Sequence, residues 1–466
     1  MAEKMGKAKR ANVQCEGIDS KPSLTIHAEE NGDAAGLPGR PLSTYEELIR
    51  SLSDRLVEAQ RPIRILDAIK WDDDIERAFF AARCRELPPV SRDYYLSRPL
   101  PFDPEQKRRE FLGIERGIRQ HLGKYNAAGR IMTRMCAEYR QVLDLLVNRG
   151  TAAFAALSER LYGSSDDRFH AGDPSLGDLG GMLAGTLDNL ARDAHLAPAE
   201  PVLDAAEAVR VLSQRLTDFF QNPSAVRICL SDGIVADAAA GSDYIKLRED
   251  ARFTLRDIRV LEVHEGWVHL GTTWNGQHQP ICTFLSKGPP SSTVTQEGLA
   301  VLTEILSFAS HPGRVRRLTH RIEGVALAES GADFLDVYRF FLDEGYKPRE
   351  SYQHTMRIFR GSLPAGCGPF TKDLCYSKGF VLLYNFMRLA VSRGMVRRVP
   401  LLFCGKTNLD DIKTLALLAE EGLLAPPRYV PPPFANLQAL AAWLCYANFF
   451  TFLSHKRIEE DYSSFF

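Results

Sequence analysis

The chain has 466 residues, 45% of them hydrophobic, so it can bury one large core or two to three ordinary ones, and a fibrous or wholly disordered protein is excluded. Its 58 basic residues nearly cancel its 59 acidic ones, giving a net charge of −1, so general electrostatics offers no reason to expect nucleic acid or an anionic membrane as partner. Nine cysteines are scattered without a CxxC pair, and the residues after Met1 are polar with no apolar signal segment, which together suggest a reduced, cytoplasmic protein.

Residues 1–40 are polar, without sustained periodicity, and read as a disordered leader. Order is expected from Ser43, where Ser43-Thr44-Tyr45-Glu46 makes a capping box ahead of Leu48, Ile49, Leu52 and Leu56 at helical spacing. Helical patterns follow at about 73–86, 104–123, 127–148, 151–162 and 200–221, making 41–222 a helical N-terminal region. Strand-like runs at 226–230 and 244–247, with the turn-former Asp232-Gly233 between them, open a catalytic region at 223–466 with a small sheet. A helix from Phe253 to Leu270 comes next, then a loop through Pro280 and Gly288-Pro289-Pro290, and a helix capped by Ser291-Ser292-Thr293. The remainder reads as helices at about 313–329, 332–344, 349–359, 372–392, 408–421 and 435–453. The last is apolar, but Asn436, Gln438, Asn448 and Thr451 favour a buried helix over a membrane span. The fold class is mainly α with a small β-sheet.

The helix at 253–270 carries His264-Glu265-Gly266-Trp267-Val268-His269. Two neutral imidazoles can ligate Zn²⁺ while a neighbouring carboxylate takes a proton from water. The histidines are five apart, one more than in H-E-x-x-H. On a regular α-helix five residues turn roughly 500°, leaving the rings about 140° apart. An i→i+5 turn would bring them together, so the spacing predicts a π-bulge at 266–268, with Gly266 supplying backbone tolerance.

A catalytic zinc usually takes a third protein ligand. Glu297, in Gln296-Glu297-Gly298-Leu299-Ala300, is favoured because it falls in the first turn of a helix and precedes a glycine that allows close backbone approach. Glu304, two turns on, shares its face and could ligate or support an imidazole. His278 is the competing candidate. Glu262 is expected to point away from the His264 face.

HExxxH followed by Gln296-Glu297-Gly298-Leu299-Ala300, together with Phe370-Thr371-Lys372-Asp373-Leu374-Cys375-Tyr376, resembles the bacterial QEGLA-motif proteins described as modulators of flavohaemoglobin expression. These are similar to the microtubule-associated tyrosine carboxypeptidases of animals. The resemblance spans roughly residues 40 to 455. It implies a zincin-like zinc peptidase with His264, His269 and Glu297 as ligands and Glu265 as general base. The animal relatives remove a C-terminal tyrosine from α-tubulin, which implies a peptide or protein C-terminus, with a possible aromatic last residue, as substrate.

Within that chemistry Tyr376 is a candidate second electrophile, since a phenol donates to a developing oxyanion without carrying charge. A free carboxylate on the substrate calls for a cation, and Arg357, Arg360 and Lys372 are the candidates. Tyr244–Leu247 could be an edge strand that pairs with an extended substrate, bringing Lys246 to it. The aromatic Tyr462–Phe466 terminus could itself occupy an aromatic-selective site. The alternative is a non-catalytic, metal-binding regulatory protein affecting gene expression; metal binding alone, however, gives no reason for a carboxylate at Glu265. Substrate and oligomeric state are not written in the sequence.

Overall fold

The computed structural model describes residues 40–191, 201–221, 226–231, 237–241 and 244–465. The leader expected over 1–40 therefore lies outside the described residues except for Arg40, as do Asp232, Gly233 and Phe466. The first helix, Thr44–Gln60, begins at the expected capping box: Ser43 Oγ accepts the Glu46 N–H at 3.3 Å and Glu46 Oε2 accepts the Ser43 N–H at 2.7 Å. Its Ile49, Leu52 and Leu56 are buried, and the helices Pro104–Leu122 and Ala127–Val147 pack beside it. A second apolar centre joins Asp73–Ala81 to Phe334–Asp343 and Pro348–Phe359, where Phe79 meets Phe334 and Tyr338 edge-on at 5.3 and 5.1 Å.

Sequence periodicity misses the helix Leu176–Ala191. Gly177, Gly180, Gly181 and Gly185 lower its intrinsic propensity. It forms because Ser175 and Asp178 cap it reciprocally, at 2.8 and 3.0 Å, and because it packs on the helix Pro312–Glu329, with Gly180 against Ile322. Tertiary contact outweighs propensity here.

The strands are β1 Val202–Asp204, β2 Arg227–Ser231, β3 Ala238–Ala240, β4 Tyr244–Arg248 and β5 Arg252–Thr254. β1 pairs antiparallel with β5, and the other three make a sheet in the order β2-β4-β3. β2 and β4 are parallel, so a tight turn could not have joined them; the chain passes through β3, which runs antiparallel on the far side of β4. β4 is consequently a central strand with Ile245 and Leu247 fully buried, which corrects the expectation of an edge at 244–247. The open edge on the other side belongs to β3.

The helix Ala205–Phe220, capped by Asp204 and Glu207, lays Leu212, Leu216 and Phe220 against Val263, Trp267, Leu270 and Trp274, with Ile245 and Leu247 in the same cluster. That cluster holds the motif helix between a helix and the sheet. Bonds also cross the boundary expected near 222: Glu138 accepts from Ser291, Ser158 from Thr371 N–H, and Arg134 pairs with Asp411. Residues 40–466 cluster as one unit.

No single described helix is long and apolar enough to cross a membrane. The helix Leu437–Phe450, expected to be buried, covers only Leu440 and Leu444 against its neighbours and leaves Trp443, Tyr446, Phe449 and Phe450 exposed. Apolar character there is spread round the whole helix, whereas burial follows one i,i+4 stripe.

One close approach sets the geometry around Glu297. The helix Pro290–Leu306 crosses Cys375–Ser392 at Gly298 and Gly379. A Cβ on Gly298 would lie 2.1 Å from the Gly379 carbonyl carbon, and one on Gly379 would lie 1.9 Å from Val294 O. Both obstacles are backbone, so neither helix can yield locally. Gly298→Ala should therefore destabilise the protein by about 3 kcal/mol or more, read as a lowered denaturation midpoint; an unchanged midpoint would show that the crossing has slack.

Candidate metal centre

Residues Glu262–Leu270 wind as a π-helix, between the α-helices Leu255–Leu261 and Gly271–Gln277. The distortion expected at 266–268 is present and extends over nine residues. Five residues then complete about one turn, and the His264 and His269 rings stand 4.7 Å apart and perpendicular. Gly266 is required for another reason than the one expected. It has no positive φ, but a Cβ there would meet Leu216 Cδ2 at 2.3 Å, so the glycine serves packing against Ala205–Phe220.

Glu297 enters from the facing helix Pro290–Leu306. Its Oε2 lies 3.4 Å from His264 Nε2 and 3.3 Å from His269 Nε2, yet it is buried without a hydrogen-bond partner. His264, His269 and Glu297 form a group that can hold a metal ion. The donor chemistry fits, since two imidazole nitrogens and a carboxylate oxygen converge on one point and the orphaned oxygen has no other role.

The far side of each ligand is tied down. His264 Nδ1 meets Glu304 Oε1 at 2.6 Å, and Arg314 forks onto both Glu304 oxygens at 2.9 and 3.1 Å. Burial opposes ionisation of Glu304, but Arg314 and His264 outweigh it and hold the carboxyl down at about 2. Glu304 thus supports the imidazole and is not drawn into the three-residue group. Burial likewise disfavours a charged His264, yet Glu297 and Glu304 raise it to about 9, so a metal held there would have to displace a proton. Lys372 donates to Glu297 Oε1 at 2.9 Å, keeping that oxygen occupied and Oε2 free.

Glu265 projects from the same π-helix, half-buried, and its Oε2 accepts the Ala240 N–H of β3 at 3.0 Å. Tyr376, in the first turn of Cys375–Ser392, stacks near the His264 ring at 5.9 Å. Burial, followed by the charge of Glu297, pushes its phenol up, so it remains a donor at neutral pH. His278 does not join the group: it is exposed, with Nδ1 2.7 Å from Trp274 O. Glu262 turns away, as expected, to Arg259 and Arg215.

The basic residues divide. Arg357 forks onto Asp373 at 2.8 and 2.9 Å, and Lys372 is committed to Glu297. Arg360 is buried, with Nε unpartnered among the described residues and its guanidinium 5.5 Å over Phe370. Lys246 stands over Tyr244 at 5.4 Å and is not part of the three-residue group.

Three residues escaped sequence reasoning. Arg314 and Arg321 lie seven apart on Pro312–Glu329, so one face brings both inward, and arginines at that spacing beside the apolar Leu318 and Ile322 were the available signal. The third, Lys406, comes from a loop with no periodicity. Its Nζ donates to His269 O at 2.8 Å and to Thr272 Oγ1 and Gln296 Oε1 at 3.1 Å. These acceptors are uncharged, and burial pushes the amine down to about 7. It joins the end of the π-helix to the helix that carries Glu297.

Lys406→Met should weaken metal binding by about tenfold, as loss of an outer support of a metal site does; competition with a chromophoric chelator measures this, and unaltered affinity would reduce Lys406 to a packing residue. Glu304 generates a pH prediction. Its carboxyl is depressed in the folded state, so its stabilisation is present above the ordinary value of 4.5 and is lost as pH falls towards about 2. The stability advantage of the wild type over Glu304→Gln should shrink across that interval in denaturant titrations; a constant difference would contradict the assigned pairing.

Comparison with curated proteins finds no match. The sequence model of the family described as Microtubule-associated tyrosine carboxypeptidase matches residues 77–451, which takes in the π-helix, the Glu297 helix, Lys372, Tyr376 and Lys406. Both the convergent ligand group and this match over most of the chain lead to one assignment: the chain belongs to the microtubule-associated tyrosine carboxypeptidase family.

Proposed function

We propose that this protein is a zinc-dependent carboxypeptidase that removes the last residue from a peptide or protein C-terminus, and that it is a member of the bacterial QEGLA-motif group. The observation that carries the reading is the buried, unpartnered Glu297 Oε2 between two imidazole Nε2 atoms. Separations of 3.3 and 3.4 Å suit the edge of a tetrahedron, which is about 3.3 Å long for bonds of about 2.0–2.1 Å to zinc. His264, His269 and Glu297 would hold the ion.

A zinc ion supplies Lewis acidity there, making water acidic near neutral pH and polarising a carbonyl. Glu265 accepts the proton of the attacking water. Its Oε2 is fixed by Ala240, and a carboxylate so held retains acceptor capacity on its other oxygen. Tyr376 donates its phenolic hydrogen bond to the oxyanion that develops on the scissile carbonyl. The protonated Glu265 then returns its proton to the leaving amine. An extended substrate pairs with β3, the open strand beside Glu265, rather than with the enclosed β4. The family's name makes a C-terminal tyrosine the first residue to try.

The test is metal analysis beside turnover of a short peptide ending in tyrosine. Wild type should carry one zinc per chain and release tyrosine, lose activity to a chelator and regain it with zinc. Glu265→Gln should keep its metal and lose about a thousandfold or more in turnover. Stoichiometric zinc with no cleavage across a C-terminal peptide library would instead support the metal-binding regulatory reading.

A further inference from the structure

Beyond the ligand group, the inner face of Pro312–Glu329 and the end of Pro348–Phe359 bring Arg321 and Arg357 onto the carboxylate of Asp373, with Arg360 close enough for its charge to act on the same group. Arg357 occupies both oxygens of Asp373 with its fork. Arg321 lies 4.0 Å from Asp373 Oδ2, and its guanidinium is 5.1 Å over the Tyr376 ring. Arg360 is 6% exposed. Arg321 Nε and Arg360 Nε are both buried without a hydrogen-bond partner among the described residues.

Three cations sharing one anion out of water is a costly arrangement unless another anion completes it. The other nearby acids are already engaged: Glu297 with Lys372 and Glu304 with Arg314. Burial, and after it the like charge of Arg357, pushes Arg321 down and Arg360 to about 10, as expected of guanidiniums short of counter-charge.

We propose that Arg321 and Arg360 form the subsite for the substrate's terminal carboxylate, with Asp373 as the fixed internal carboxylate that orders Arg357 beside them. This rests on the carboxypeptidase reading and adds to it a specificity residue, Arg321, from a helix outside every sequence motif. Placement supports it. Tyr376 adjoins both the His264 ring and the Arg321 guanidinium, so Arg321 stands one side chain away from the ligand group. In a peptide, one residue of roughly 3.8 Å separates the last scissile carbonyl from the terminal carboxylate. Arginine forks match a carboxylate geometrically, which a lysine does not.

The test measures binding apart from turnover. In a Glu265→Gln background, a short peptide ending in tyrosine with a free carboxylate should bind about tenfold tighter than its C-terminal amide. Adding Arg321→Met or Arg360→Met should erase most of that ratio while leaving amide affinity unchanged, and Arg321→Lys should restore part of it. Asp373→Asn, which frees the Arg357 fork, should raise the ratio. Should Arg321→Met unfold, Arg321→Lys and Asp373→Asn carry the test with their opposite signs. A ratio that survives both methionine variants, or affinity that falls equally for the two peptides, overturns the proposal. Failure of the underlying reading looks different: wild type would cleave neither peptide, whatever the binding ratio.

Discussion

Five residues separate His264 from His269, and an i→i+5 winding is what turns that spacing into two rings 4.7 Å apart. The rest of the site is arranged around keeping that winding in place. A π-turn is poorly populated by itself, so its side chains and its displaced carbonyls need outside support. Leu216 presses against Gly266 on one side, while Thr272 and Thr273 return hydroxyl bonds to Val268 O and His269 O at 2.6 and 2.7 Å. Lys406 then ties His269 O to Gln296, the residue next to Glu297. The third ligand is thereby held in register with the first two through a single ammonium group.

A second constraint is charge in a nearly dry interior. Glu304 is fully buried and Glu297 is 8% exposed, conditions under which an unpaired carboxylate would be protonated. Lys372 holds the Glu297 oxygen that faces away from the metal group, while Arg314 forks onto both Glu304 oxygens and the His264 ring meets Glu304 Oε1. Such pairs stabilise little against a well-packed apolar alternative. Their use is to fix the ionisation and the direction of these two carboxylates, and they leave Glu297 Oε2 buried without a hydrogen-bond donor among the described residues.

How much of this was legible follows from what each feature depends on. The capping box at Ser43, the helices over 104–122 and 127–147 and the π-turn are local consequences of spacing, and the sequence carries them. Glu297 and Gly298 were readable because ligand and close approach fall in one motif, and the backbone that approaches is that of Gly379. The parallel pairing of β2 with β4 was not, because strand order depends on where β3 lies and not on the pattern of either strand. Lys406 was invisible for a related reason, and for Arg314 and Arg321 only the shared face was legible: a buried cation looks like a surface one in sequence, and only the fold supplies the carboxylate or carbonyl that separates them. Arg357 shows the same limit, since its partner Asp373 becomes its neighbour only when the helix Pro348–Phe359 packs beside the turn Thr371–Leu374.

The two halves of the site differ in charge balance, and under the proposed carboxypeptidase reading this would give the reaction a direction. On the Glu304 side each acid has its base, so the histidines are positioned and nothing further is required. On the Tyr376 side Arg321 and Arg360 exceed what Asp373 can neutralise. A neutral chain segment would gain nothing from that excess, while in the proposed subsite a terminal carboxylate would relieve it and present the preceding carbonyl to Tyr376 and Glu265. Selectivity for chain ends would then come from buried arginines left short of a partner, and the rigid Gly298–Gly379 crossing fixes Tyr376, which stands between Arg321 and His264, relative to Glu297, because Glu297 and Tyr376 stand on the two helices that meet there.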